Sequence, residues 1–112
     1  MRWLKESKYH NKKVTVDGIT FDSIKEANRW HELRLMERAG EITALVRQVK
    51  IELIPKTKLY RACYYIPDFT YFDKREQKTI YEDVKGGNFR TKEYLLKRKL
   101  LYWRHGIEIK ET

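Results

Sequence analysis

The chain has 112 residues, 41% of them hydrophobic and 37% charged; that fits one small globular domain and excludes a disordered chain. No apolar run approaches a membrane span, Met1 to Lys13 lacks the apolar stretch of a secretory signal, and the single cysteine, Cys63, excludes an internal disulfide framework. The net charge of +9 is unevenly placed, with residues 1–13 at net +4, residues 14–84 neutral and residues 85–105 at net +6, and two local basic blocks point to a polyanion partner, most often nucleic acid.

Residues 1–13 are basic, polar and without period, and read as an arm; residues 14–112 read as the domain. Val14 to Phe21 reads as a hairpin around an Asp17-Gly18 turn. Asp22 and Ser23 are N-cap candidates, and Ser23-Ile24-Lys25-Glu26 fits a capping box. The helix that follows runs to about Ala39, with Gly40 to end it. Ile24, Ala27, Trp30 or His31, and Leu35 form its expected buried stripe.

Val46 to Ile54 alternates and predicts one strand with Arg47, Val49, Ile51 and Leu53 on a common face. Leu59 to Phe72, rich in tyrosine and β-branched residues, predicts a long second strand. A polar turn, Asp73 to Lys78, joins it to a third strand, Thr79 to Lys85. Gly86-Gly87-Asn88 breaks that strand, and Thr91 caps a second helix over Lys92 to His105, closed by Gly106. Leu96, Leu100 and Trp103, with Leu95 and Tyr102 beside them, form its expected inner face. Ile107-Glu108-Ile109 reads as a last short strand. The order helix, three strands, helix, strand predicts a small mixed α/β sheet flanked by two helices, its last two strands parallel across the helical crossover.

The chemistry concentrates in two places. Asp68, after Pro67, falls in a mostly apolar row with Tyr64, Ile66, Thr70 and Phe72, where a carboxylate needs something to neutralise it. On the expected partner strand, Asp83 and Lys85 share a face. A hairpin registered near its polar turn brings Asp68 and Asp83 together, and two such carboxylates repel unless a cation bridges them. Mg²⁺ or Mn²⁺ suits carboxylates, backbone carbonyls and water. Lys85 is then placed to hold a water or to neutralise phosphate charge. The competing reading makes Asp83 and Lys85 an exposed ion-paired face and Asp68 a turn or edge residue. Four Asp/Glu-x-Lys triplets occur in the chain, but only Asp83-Val84-Lys85 lies within a predicted strand.

This combination resembles the PD-(D/E)xK, restriction-endonuclease-like superfamily, whose αβββαβ core order it shares. Pro67-Asp68 matches the PD element and Asp83-Val84-Lys85 the (D/E)xK element. Glu26 matches an acidic residue that many members supply from the first helix, and Gln48 a glutamine that some members place on the first strand. The stretch from Lys8-Tyr9 through Val14-Thr15-Val16-Asp17-Gly18-Ile19-Thr20-Phe21-Asp22-Ser23 to Lys25-Glu26-Ala27 more closely resembles a phage- and prophage-encoded group of short PD-(D/E)xK proteins. The resemblance implies a Mg²⁺- or Mn²⁺-dependent endonuclease. Asp68, Asp83, the Val84 carbonyl and Glu26 would be its metal ligands, with Lys85 and Gln48 beside them. Glu82, next to Asp83, would take its place after a one-residue slip of register.

Other residues carry two readings each. Glu26 either caps its helix or serves the metal, and Gln48 either serves the site or faces water. Lys92, Lys97 and Lys99 either contact phosphates or form a solvated face. Tyr94 either hydrogen-bonds a phosphate or packs. Asn88 and Arg90 in the glycine loop, and Lys12 and Lys13 in the arm, are further candidates for DNA contact. His10, His31 and His105 lack metal-ligand spacing. The expected partner is DNA, including branched DNA, because a compact basic dimer of this fold resembles Holliday junction resolvases in size and charge. A homodimer would cut two strands, and the expected compartment is the cytoplasm, the host's if the protein is phage-encoded. The alternatives are a non-catalytic nucleic-acid-binding protein on the same fold, and an RNA-binding or host-interaction protein of another α/β fold.

Overall fold

The structure is a computed structural model that describes residues 13–112. Of the predicted arm only Lys13 falls within it; Lys12 and His10 lie outside the described residues.

The elements in chain order are β1 (Val14–Val16), β2 (Ile19–Phe21), α1 (Ile24–Arg38), β3 (Ile42–Arg47), β4 (Ile51–Ile54), β5 (Cys63–Tyr65), β6 (Phe69–Asp73), β7 (Lys78–Asp83), α2 (Lys92–His105) and β8 (Ile109–Glu111). A four-stranded sheet runs in the order β3-β6-β7-β8. Its first three strands are antiparallel, and β8 lies parallel to β7 after the α2 crossover. The fold is therefore mixed α/β, with two helices and the predicted N-terminal hairpin, and its helix and main-sheet order is compatible with the αβββαβ core.

Local chemistry sets the boundaries. Asp17 and Gly18 both take positive φ, 52° and 78°, the conformation a two-residue turn between twisted strands requires. The Ser23 side chain accepts from the Glu26 amide to start α1, and the Thr91 side chain accepts from the Tyr94 amide to start α2. The β6–β7 turn is closed by Asp73, whose Oδ1 accepts from the amides of Arg75 and Glu76.

Two predicted strands are each divided. The expected strand from Val46 to Ile54 is instead the end of β3 and all of β4, which belong to different sheets. Gln48 takes φ 53° between them and turns the chain, so Arg47 does not share a face with Ile51 and Leu53. β3 also begins earlier, at Ile42, and carries a bulge between Thr43 and Val46 in which Ala44 takes φ 56°. The expected strand from Leu59 to Phe72 is divided at Ile66-Pro67-Asp68, because Pro67 has no N–H for the ladder. Its first part, β5, pairs with β4 in a separate hairpin. The third strand spans Lys78–Asp83 rather than Thr79 to Lys85, and the last is Ile109–Glu111 rather than Ile107 to Ile109.

Ile80 and Tyr81, adjacent on β7, enter different cores and so mark the two faces of the main sheet. On one face Phe69, Tyr71 and Ile80 pack with Phe21, Ala27, Trp30 and Leu33. On the other, Tyr81 and Ile109 pack with Leu53, Tyr65 and Leu101, joining α2 and the β4–β5 hairpin.

Both predicted helix stripes need correction. On α1 the buried residues step by three, Ala27, Trp30 and Leu33, with Met36 beside them, and Leu35 is 47% exposed. On α2 the inner face is Tyr94, Leu100 and Leu101, whereas Leu95, Leu96, Tyr102 and Trp103 are exposed. The helix is apolar on several sides, so its pattern does not single out one face. Arg98 turns inward over the Tyr94 ring, reaches Glu111 and is partly buried.

Candidate active site

The register that sets Phe69 opposite Glu82, continued by one residue past the end of β6, sets Asp68 opposite Asp83. The Asp68 amide donates to Asp83 Oδ1 at 3.0 Å, and the Val84 amide donates to Asp68 Oδ2 at 2.8 Å. Each carboxylate is thus oriented by the other strand's backbone. The Tyr65 hydroxyl, from the base of the β4–β5 hairpin, donates to Asp83 Oδ2. Burial and this hydrogen bond push the Tyr65 hydroxyl pKa upward, so it remains a donor.

Glu82 points to the opposite face. It is fully buried and accepts from Arg29 Nε at 2.7 Å, Arg29 Nη2 at 2.9 Å, the Tyr71 hydroxyl at 2.7 Å and Thr112 Oγ1 at 3.2 Å. Burial alone would raise its pKa, but the hydrogen bonds from Arg29 and Tyr71 hold it below the usual carboxylate value. The register therefore selects Asp83, not Glu82, as the partner of Asp68.

Burial raises Asp68 to about 6, opposed by the Val84 amide and reinforced by the charge of Asp83. Glu26, in the first turn of α1, is 4% exposed. Burial pushes its carboxyl up to about 7, and the charges of Asp68 and Asp22 add to the rise. Among the described residues its Oε1 has no hydrogen-bond partner, and the cation that pairs with it is Arg47, with Nη2 at 4.0 Å. The charge of Arg47 lowers the Glu26 value, but less than burial and the two carboxylates raise it. The Ser23 capping bond is made by the Glu26 amide, and a hydrogen bond from the Asp22 main chain to the Glu26 carboxyl ties the side chain to the helix start and lowers its pKa.

Lys85 Nζ lies 3.9 Å from the centroid of the Tyr94 ring. The Lys85 main chain is fixed from two sides, its carbonyl accepting from Lys25 Nζ and its amide donating to the Thr112 carbonyl at 2.9 Å. Asp68, Asp83, Lys85, Tyr94 and Lys97 line one open cleft of about 340 Å³, with Tyr64 and Tyr65 on its hairpin side. Glu26 feels Asp68 electrostatically but does not line this cleft. Gln48 is exposed, and its amide donates to the Asp68 carbonyl at 3.2 Å; it borders the site through its main chain.

The chemistry of the donors fits a hard divalent cation, because Asp68 lies against Asp83 and feels the charge of Glu26, and Asp68 and Glu26 have raised pKa values. As they stand, no three Asp, Glu, His or Cys side chains among the described residues form a group able to hold a metal ion. Both Asp83 oxygens and one of Asp68 already accept a hydrogen bond.

The basic candidates divide. Lys97 lines the cleft and pairs with Glu93 at 3.1 Å. Lys92, Asn88 and Lys13 are exposed. Lys99 lines a different groove, between α2 and β8. Arg90 is committed to structure: it pairs with Glu111 through Nε at 2.9 Å and Nη2 at 3.1 Å, and binds the Gly87 and Phe89 carbonyls. Tyr94 donates to the same Glu111 at 2.6 Å, and the Arg90 and Tyr94 hydrogen bonds lower the Glu111 carboxyl to about 2.

Asp22, Arg47, Tyr65 and Lys25 belong to this neighbourhood and were not singled out as site residues from the sequence. Only their separate places in the chain are visible there; the contacts join a helix start, a strand end and a hairpin base.

The described residues contain no helix long and apolar enough to cross a membrane. No curated protein and no solved structure matches the chain. A family match does cover residues 6–112, nearly the whole length, and the chain belongs to that family, described as protein of unknown function DUF1064.

Proposed function

We propose that this protein is a metal-dependent DNA endonuclease of the PD-(D/E)xK type. The observation that carries the reading is the locked pair Asp68 and Asp83 on adjacent strand ends, facing a cleft that Lys85 shares. Asp68 and Asp83, with Glu26 and the Val84 carbonyl, would hold Mg²⁺ or Mn²⁺. Such an ion, when bound, supplies Lewis-acid stabilisation of the charge that develops on phosphate oxygens.

The chain's own residues supply the rest. Tyr65 and the Asp68 amide fix the Asp83 carboxylate, and the Val84 amide fixes that of Asp68. Tyr94 supports the Lys85 ammonium at the cleft wall, where it orients the hydrolytic water or meets the phosphate. Water oxygen bonds to phosphorus, one phosphorus–ester oxygen bond breaks, the water gives up a proton and the leaving oxygen gains one. Lys97 and Lys92 are the phosphate contacts beside the cleft. One site cuts one strand, so paired cuts in a four-way junction require a homodimer.

A second reading is a nucleic-acid-binding protein without catalysis. It is favoured by the hydrogen bonds that already occupy the Asp83 oxygens and by the absence of a ready three-carboxylate group among the described residues. One experiment separates the two. Labelled four-way junction, nicked duplex, linear duplex and single-stranded DNA are incubated with Mg²⁺, Mn²⁺ or EDTA, beside an Asp83→Ala control. Metal-dependent cutting that the control lacks is the expected result, and symmetric cuts near a branch point would assign junction resolution. Tight binding with no cutting under either metal would leave the second reading.

A further inference from the structure

The neutral charge of residues 14–84 conceals a basic segment. Between Glu52 and Asp68 there is no acidic residue, and the segment carries Lys56, Lys58 and Arg61. These three form the tip of the β4–β5 hairpin, and none of them makes an ion pair with a described residue.

The tip is a built turn. The Thr57 amide donates to the Tyr60 carbonyl at 2.9 Å, and Thr57 Oγ1 accepts from the amides of Leu59 and Tyr60 at 3.3 and 2.9 Å. It presents two large apolar side chains to solvent, Leu59 at 81% and Tyr60 at 73% exposure. The base of the hairpin is rooted: Leu53 and Tyr65 are buried, and Arg104 and His105 of α2 hold the Leu53 and Glu52 carbonyls. The root also touches the candidate site, where Tyr65 donates to Asp83 and Tyr64 lines the cleft.

We propose that the β4–β5 hairpin is a duplex-DNA grip, with Lys56, Lys58 and Arg61 on phosphates and Leu59 and Tyr60 entering a groove against sugars and bases. The inference rests on the nuclease reading for its partner, and it names the part of that partner the hairpin takes. Cations flanking exposed apolar groups match a groove between two phosphate walls. Leu59 lies six residue steps before Tyr65, so the tip lies within roughly 20 Å of the site, about six phosphates along one strand.

The test measures duplex binding in EDTA as a function of salt. If all three cations contact phosphates, Lys56→Ala/Lys58→Ala/Arg61→Ala lowers the slope of log affinity against log salt by about 2.7 and weakens binding at 0.1 M salt on the order of a hundredfold. Tyr60→Ala weakens binding about fivefold or more. The control Lys74→Ala/Arg75→Ala/Lys78→Ala removes equal charge from the exposed β6–β7 turn and the first residue of β7 and leaves most of the slope in place. Thermal melts check that each variant is folded. Duplex binding by the hairpin variant with unchanged affinity and slope would overturn the grip and leave the nuclease reading standing, and so would an equal loss in the control. Failure of the unmodified protein to bind any DNA, or its binding to anionic vesicles instead, would remove the nuclease reading and the grip with it.

Discussion

Asp68 and Asp83 restrain each other across the β6–β7 pair: the amide of Asp68 holds one oxygen of Asp83, and the amide just past Asp83 holds one oxygen of Asp68. The pairing places two negative charges together but assigns each a fixed orientation. Asp68→Asn keeps an oxygen for the Val84 amide and removes one charge. The expected variant is folded, with stability in EDTA within about 1 kcal/mol of the parent or above it. It loses metal-dependent cleavage and any rise in melting temperature on adding Mn²⁺. Urea unfolding and melts with and without Mn²⁺ measure this, and cleavage at the parental rate would sink the assignment of Asp68.

Glu26 gives the metal-free protein a distinctive pH dependence. Its carboxyl is raised from an ordinary 4.5 to about 7 in the fold. Between those values the folded chain keeps a proton that the unfolded chain has lost, so stability falls as pH rises. The fall is on the order of 3 kcal/mol for a group this buried. Asp68, raised to about 6, adds in the same direction over a narrower window. Glu82 and Glu111 have lowered values and act oppositely, below about pH 4.5. Urea unfolding in EDTA from pH 4.5 to 7.5 is expected to show a decline that Glu26→Gln reduces, most completely above about pH 6 where Asp68 no longer contributes, and that Mg²⁺ reverses near neutrality. A flat profile in the parent would contradict this account of Glu26.

Much of the site is legible in the sequence because strand periodicity acts locally. Asp83 and Lys85 share a face, and the polar turn after Asp73 fixes the register that brings Asp68 to Asp83. Caps at Ser23 and Thr91 are equally local. What the sequence hides is decided by tertiary contact. Gln48 breaks an alternating run by taking a positive φ, which no alternation pattern contains. Pro67 signals the break in the next run, but nothing nearby says that β5 will pair with β4 instead of continuing into the main sheet. Tyr65 reaches Asp83 only because of that pairing. The basic tip at Lys56, Lys58 and Arg61 is lost when charge is summed over a long neutral stretch.

Arg29 and Glu82 form the buried counterpart of the site on the other face of β7. The guanidinium meets the carboxylate through two nitrogens, and Tyr71 and Thr112 fill the remaining acceptor positions. Arg29→Ala strands a fully buried carboxylate and is expected to destabilise the protein by about 3–5 kcal/mol. Arg29→Lys restores only part of this, since an ammonium does not reproduce the two-nitrogen geometry. If the protein cleaves DNA as proposed, both variants are expected to keep that cleavage at temperatures where they remain folded, because Glu82 faces away from Asp68. A loss under about 1 kcal/mol for Arg29→Ala in urea would show that the pair contributes little.

The corrected face of α2 makes an inversion of expectation that two alanine substitutions test. Leu101 is fully buried between β4, β5 and β8, whereas Trp103 is 80% exposed. Leu101→Ala is expected to lose about 2–5 kcal/mol through lost contact and the cavity left behind. Trp103→Ala removes a larger side chain but is expected to change the stability of the monomer by no more than about 0.5 kcal/mol. The measurement is urea unfolding at two protein concentrations well apart. A large loss for Trp103→Ala at both concentrations would mean that the tryptophan packs within its own chain and that this helix face is misassigned. A loss that grows with protein concentration would instead place Trp103 in a contact between copies, since association stabilises the folded state by mass action.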